Sequence, residues 1–187
     1  MEPVAFRDEE PIVNVEKPWA ACGRKGDSFH HTVTSIYIDP DVLEKKNLEL
    51  QEKYKIVEQN EVRYEAICMD DDPEIVITAF STCSRISRNV IRQAREMGIK
   101  VGMIRPITLW PFPYKAIADA ADMPSVKAFL DVELNAGQMI EDVKLGANGK
   151  KPVYFHGRLG GNLPMQKEIL DKIVAIHEGK ITEGGNF

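Results

Sequence analysis

The chain has 187 residues, 43% hydrophobic and 28% charged, which is enough to bury one core and stay in solution, and its 24 basic against 29 acidic side chains give a net charge of -5. That balance excludes a nucleic-acid backbone as partner. Three scattered cysteines, Cys22, Cys68 and Cys83, make neither a disulfide framework nor a Cys-x-x-Cys metal pair, and no uncharged run is long enough to cross a bilayer. A reducing, cytoplasmic setting without leader or membrane span is expected.

Residues 1–38 hold Pro3, Pro11, Pro18, Gly23 and Gly26 without helical periodicity and read as an extended N-terminal arm, anchored by Trp19 and the apolar stretch 33–38. His30 and His31 have no further ligand at metal spacing. Asp39-Pro40-Asp41 is a helix start: a capping carboxylate, proline at the first helical position, acids at the positive end. It opens a linking helix over 40–60, within residues 39–61, whose Leu43, Leu50, Tyr54 and Val57 form one narrow apolar stripe.

Tyr64, Ala66 and Cys68 alternate with Arg63, Glu65 and Ile67, which reads as an edge strand. Asp70-Asp71-Asp72-Pro73 is a solvated turn, lacking the glycine and further oxygens of a calcium loop. Residues 74–80 are an apolar run suited to a central strand covered on both faces. A polar loop, 81–84, leads to a helix with Ile86, Val90, Ala94 and Met97 on one face and Gly98 at its end. The unit repeats as strand 99–104 with helix 114–121, as strand 126–132, loop 133–137 and helix 138–145, and as strand 152–155, loop 156–163 and helix 164–177. Residues 179–187 read as a tail. Successive β-α units predict a mainly parallel sheet with helices on both faces, spanning residues 62–178.

All strand-to-helix loops of such a sheet open on one edge, the usual place for ligands and partners. Ser81, Thr82 and Arg85 belong there, as do Glu133, Asn135, Gly137 and Gln138, and Gly157 with Arg158. The segment Arg105 to Pro113 carries three prolines, which hold Arg105, Thr108 and Trp110 in fixed directions, while Trp110 and Phe112 read more simply as plugs for the core. Hydroxyls at a helix start and an arginine on glycine-rich backbone suit a phosphate or carboxylate, yet neither a Walker motif nor G-x-G-x-x-G is present. Flexible turns and capped helices account for the same residues. Cys83 lies near a helix start, where a thiolate is favoured, and otherwise reads as a small core residue. Arg85, Arg88, Arg92 and Arg95 line one side of their helix, as a solvated face or a dock for an acidic neighbour. The residues alone leave three readings open: a small-anion-binding module, a structural assembly domain and a thiol enzyme.

Three ordered stretches go further. Residues 98–113 (GIKVGMIRPITLWPFP), 132–139 (VELNAGQM) and 155–158 (FHGR) followed by Gly160, Gly161 and Pro164 resemble the signatures of the α subunits of 2-oxoacid:ferredoxin oxidoreductases. The likeness runs from about residue 36 to residue 177, and the helix 40–60 is most similar to the branched-chain (2-oxoisovalerate) type. The resemblance implies a transketolase C-terminal-like domain: a three-layer α/β/α sandwich with a mostly parallel five-stranded sheet and one antiparallel edge strand. It implies an anaerobic enzyme that decarboxylates a 2-oxoacid on thiamine diphosphate, passes electrons through iron-sulfur clusters to ferredoxin and releases an acyl-CoA. Those cofactors would be held mainly by other domains or subunits, since three scattered cysteines cannot ligate the clusters. The partners implied are the pyrimidine-binding domain of the same subunit, the thiamine-diphosphate-binding and iron-sulfur subunits, ferredoxin and CoA. The chain reads as the C-terminal half of such a subunit, supporting assembly and inactive alone. Ser81 stands where the family often has glycine.

Overall fold

A computed structural model describes residues 35–181. The arm through residue 34, with Trp19, His30 and His31, and the tail from residue 182 lie outside the described residues. Helix α1 (Pro40–Asn60) starts as its capping sequence demands, the Asp39 carboxylate accepting from the amides of Asp41 and Val42 at 2.9 and 3.4 Å. No residue of α1 is buried. Its stretch through Lys53 belongs to a separate unit from the residues that follow, which form the α/β domain.

That domain runs β1 (Tyr64–Ile67), β2 (Ile75–Ala79), α2 (Ser81–Glu96), β3 (Val101–Pro106), α3 (Tyr114–Asp122), β4 (Ala128–Glu133), α4 (Met139–Ala147), β5 (Val153–Gly157) and α5 (Gln166–His177). The strands lie in the order β1-β3-β2-β4-β5, with β1 antiparallel to β3 and every other pair parallel. This is the expected three-layer sandwich with its antiparallel edge strand.

Side-chain alternation along the strands divides the core. Val76, Ile104, Phe129 and Phe155 meet α3 and α4 on one face; Ile77, Met103, Leu130 and Val132 meet α2 and α5 on the other. Each such side chain, fully buried, contributes about 2 kcal/mol. Central β2 is buried at all five positions, which is why its sequence shows no polar alternation. Gly146 lets α4 approach α3 closely: a Cβ there would sit 2.8 Å from that of Ile117.

Element ends shift from the sequence expectation for local reasons. β3 continues to Pro106, because a residue before proline is held extended, and Arg105 therefore pairs with Glu65 of β1. β4 starts at Ala128, two residues later than expected, and includes Glu133. β5 reaches through His156 to Gly157, pairing Gly157 with Glu133. Helix α5 begins at Gln166 rather than Pro164, where Glu168 accepts from the Met165 amide at 3.0 Å.

Candidate functional site

Strands β3 and β4 flank β2 on opposite sides, so the crevice beyond the carboxyl ends of β2 and β4 is the topological switch point of the sheet. Glu133, expected in an open loop, is instead the last residue of β4 and only 1% exposed. Its carboxylate organises the next turn. It accepts from the Asn135 side-chain amide at 2.9 Å and from the backbone amides of Gln138, Met139 and Ile140 at 3.1, 3.0 and 3.1 Å. Asn135 in turn accepts from the Gly137 amide at 2.7 Å, where φ is +103° and glycine is favoured. Glu133 thus caps α4 from the neighbouring strand, filling the anion site that the helix start would otherwise offer. Burial pushes its carboxyl up, but the hydrogen bonds from Asp131, the Met139 and Ile140 amides and Asn135 outweigh that and leave it below its ordinary range.

The expected loop at Ser81–Arg85 does not exist. β2 passes straight into α2 at Ser81, whose left-handed φ of +49° makes the turn in one residue. A serine is strained there and a glycine is not. Ser81 is exposed and Thr82 half-buried, and α2 has no side-chain cap bond. Cys83 faces the core; burial, then the charges of Asp131 and Glu133, push its thiol up to about 11. That is the reverse of an activated nucleophile, so the thiol-enzyme reading falls.

Arg105 is also displaced from the loop edge. On β3 it reaches sideways to Glu65 at 3.1 Å, a carboxylate shared with Arg88 at 2.7 Å. The arginine side of α2 is accordingly not a plain solvated face: Arg88 and Arg95 tie β1 and the aspartate turn to the helix, Arg95 donating to Asp71 and to the Cys68 and Val101 carbonyls. Thr108 braces the following loop, accepting from the Arg63 amide at 3.0 Å and donating to the Pro111 carbonyl at 2.9 Å. Of the two expected plugs only Phe112 is buried, at 5% exposure; Trp110 is 54% exposed, with Tyr54 edge-on to it at 5.4 Å between centroids.

Gly157 lies under the Glu133–Gly137 turn, where a Cβ would come within 2.5 Å of the Asn135 carbonyl oxygen. Arg158 donates its backbone amide to the Glu133 carbonyl at 3.2 Å and its guanidinium to Glu168 at 3.3 Å. The structure therefore brings Glu133, Asn135, Gly137, Gln138, Gly157 and Arg158 together and leaves Arg105 apart. Around them the edge is rimmed by exposed Ile107, Leu109, Trp110, Leu134, Leu159, Leu163 and Met165. Sequence reasoning missed Asp131, Thr78, Glu65 and Glu168. The one available signal was a charged residue, Asp131, inside an otherwise apolar strand. Among the described residues no three His, Cys, Asp or Glu side chains converge as metal ligands, and no helix is long and apolar enough to cross a membrane.

Against known proteins, the family described as pyruvate:ferredoxin oxidoreductase core domain II matches residues 73–169, just over half of the chain, and all three signatures lie within it. The chain belongs to that family. It is 43% identical over 172 residues, 92% of its length, to the ketoisovalerate oxidoreductase subunit VorB of Methanothermobacter thermautotrophicus, of which it covers 47%. It is 35% identical over 106 residues to the 2-oxoglutarate synthase subunit KorA of Methanothermobacter marburgensis, covering 57% of this chain and 28% of that one. The chain thus spans about half the length of the VorB relatives it matches. A solved 2-oxoglutarate:ferredoxin oxidoreductase from Magnetococcus marinus shares the core domain's fold, with a TM-score of 0.58 at 16% identity over 74% of this chain and 24% of that one.

Proposed function

We propose that this chain is the C-terminal α/β part of the α subunit of a thiamine-diphosphate-dependent 2-oxoacid:ferredoxin oxidoreductase of the 2-oxoisovalerate type, working in the cytoplasm. In that reaction the 2-oxoacid loses its carboxylate as carbon dioxide, the electron pair left on the acyl carbon passes to ferredoxin, and the CoA thiol takes the acyl group. The observation that carries the reading is the 43% identity to VorB over 92% of this chain. The parts proposed are the arm through residue 38, the linking helix 39–61, the α/β domain 62–178 and the tail 179–187.

Within the enzyme this domain supports assembly rather than chemistry. Its α4 start does not fit the diphosphate of the cofactor, because Glu133 already takes the Gln138, Met139 and Ile140 amides. Diphosphate and clusters are assigned to the other domains and subunits. What the carboxyl edge offers is an apolar rim around a rigid polar centre, the composition of a protein–protein contact. Ser81, Thr82, Arg85, Thr108, Trp110, Glu133, Asn135, Gly137, Gln138, Gly157 and Arg158 shape that edge, and Arg105 steadies β1 beside it.

The test is to isolate the native subunit with its partners from anaerobic extract and assay viologen reduction with 2-oxoisovalerate, pyruvate and 2-oxoglutarate. Activity led by 2-oxoisovalerate, and lost when this region is deleted, is the expected result. An enzyme indifferent to that deletion, or inert to all three acids while its subunits co-elute in good yield, overturns the reading.

A further inference from the structure

Asp131 and Glu133 stand two residues apart on β4, so both project from the face covered by α3 and α4, and both are shut off from water at 0% and 1% exposure. Glu133 is fully supplied by N–H donors. Asp131 is not. Its Oδ1 accepts from the Thr78 hydroxyl at 2.6 Å, while its buried Oδ2 has no donor. An ionised oxygen in that position would be a buried charge without compensation. A proton on Oδ2, donated to Glu133, removes that charge and gives the oxygen its partner.

We propose that Asp131 is a positioning residue, kept as the neutral carboxylic acid, that donates its own proton to the Glu133 carboxylate and so holds the turn 134–138 and the start of α4 at the carboxyl edge of the sheet. The pair then carries a single charge, on Glu133, where the amides need it. Burial and the hydrogen bond to Glu133 both raise the Asp131 carboxyl well above its ordinary range, in keeping with this assignment. The groups that face the pair are Thr78 from β2, Phe155 and Gly157 from β5, and apolar side chains of α3 and α4, with Cys83 of α2 packed on the sheet's other face but within reach of the pair's charge. Cys83 is the titratable one among those described, and its thiol is itself pushed up to about 11. Ionising Asp131 sets two carboxylates against each other in a dry site, so the turn loosens as the pH rises.

The experiment combines carbon-13 NMR of the carboxyl groups in the full chain with hydrogen exchange at the Gln138, Met139 and Ile140 amides, in wild type, Asp131→Asn and Asp131→Ala. Asparagine keeps a donor toward Glu133 and an acceptor for Thr78 but has no proton to lose. Near neutral pH the Asp131 carbon should sit at the carboxylic-acid shift and that of Glu133 at the carboxylate shift. As the pH rises from neutrality and Asp131 ionises, wild-type protection of the three amides should fall by roughly tenfold beyond the intrinsic rise in exchange. Asp131→Asn should stay within about twofold of neutral wild type at every pH, and Asp131→Ala should lose about tenfold throughout. An ionised Asp131 carbon near neutral pH, or a pH profile in Asp131→Asn like that of wild type, overturns the proposal. Should neither variant fold, the wild-type carbon shift decides alone.

Discussion

The two ends of the parallel strands are built differently. At the amino end, acids meet bases: Asp71 with Arg95, Asp122 with Lys150, and Glu74 with both Lys127 and His177. At the carboxyl end the turns are pinned from within, by Glu133, Asn135 and Thr108, and show apolar side chains outward, Leu134, Leu159, Leu163 and Trp110 among them. Surface ion pairs contribute little stability but keep a face wet and unattractive to neighbours. An apolar rim over a stiff frame does the opposite. On the proposed reading, the difference leaves one end of the sheet to solvent and offers the other to partners.

The strongest blow to the carboxyl end is Gly157→Val. Its Cβ would lie 2.5 Å from the Asn135 carbonyl oxygen and 2.6 Å from the Phe155 ring, and denaturant unfolding should show a loss of about 3 kcal/mol or more. Next is Glu133→Ala, which strands three backbone amides and the Asn135 amide; a loss of about 2–3 kcal/mol is expected from the same measurement. The folded Glu133 carboxyl lies below its ordinary range, so its contribution is present at neutral pH and disappears as the pH falls from about 4.3 through the folded value. Glu133→Gln should flatten that acid limb in melts taken across the range.

These two positions also show what the sequence could and could not disclose. The apolar run 74–80, the glycine at 98 and the repeated strand–helix spacing make the layers and the shared edge legible, because burial on both faces leaves a plain mark on composition. Arg105 leaves the expected edge because proline extends the strand before it and turns the side chain toward Glu65. Trp110 reads both as a side chain held at the edge and as a core plug, and it is the exposed one, because size alone does not tell which of two aromatics in one loop goes inward. Asp131 shows in the sequence only as one charged residue within a strand, and its partner Thr78 lies on a different strand, a pairing that only register reveals.

Smaller changes sharpen the contrast. Arg95→Ala at the amino end removes bonds to the Val101 carbonyl at 2.8 Å and the Cys68 carbonyl at 3.1 Å, and should cost about 1–2 kcal/mol in unfolding without touching assembly. Ser81→Gly relieves a left-handed φ of +49° and should raise stability by about 1 kcal/mol, read as a higher melting temperature. Leu159→Ser with Leu163→Ser should move the stability of the chain least, by about 0.5 kcal/mol, since both side chains are exposed. The same pair should nonetheless abolish co-purification with the partner subunits.

The measurement that tests the two-ended account most directly is hydrogen exchange of this region, followed by mass spectrometry, with the subunit alone and in the assembled enzyme. Assembly should protect peptides covering residues 106–113, 133–138 and 157–165, and leave those covering 68–74, 123–127 and 148–152 unchanged. Protection at the charged end with none at the apolar rim would contradict the account.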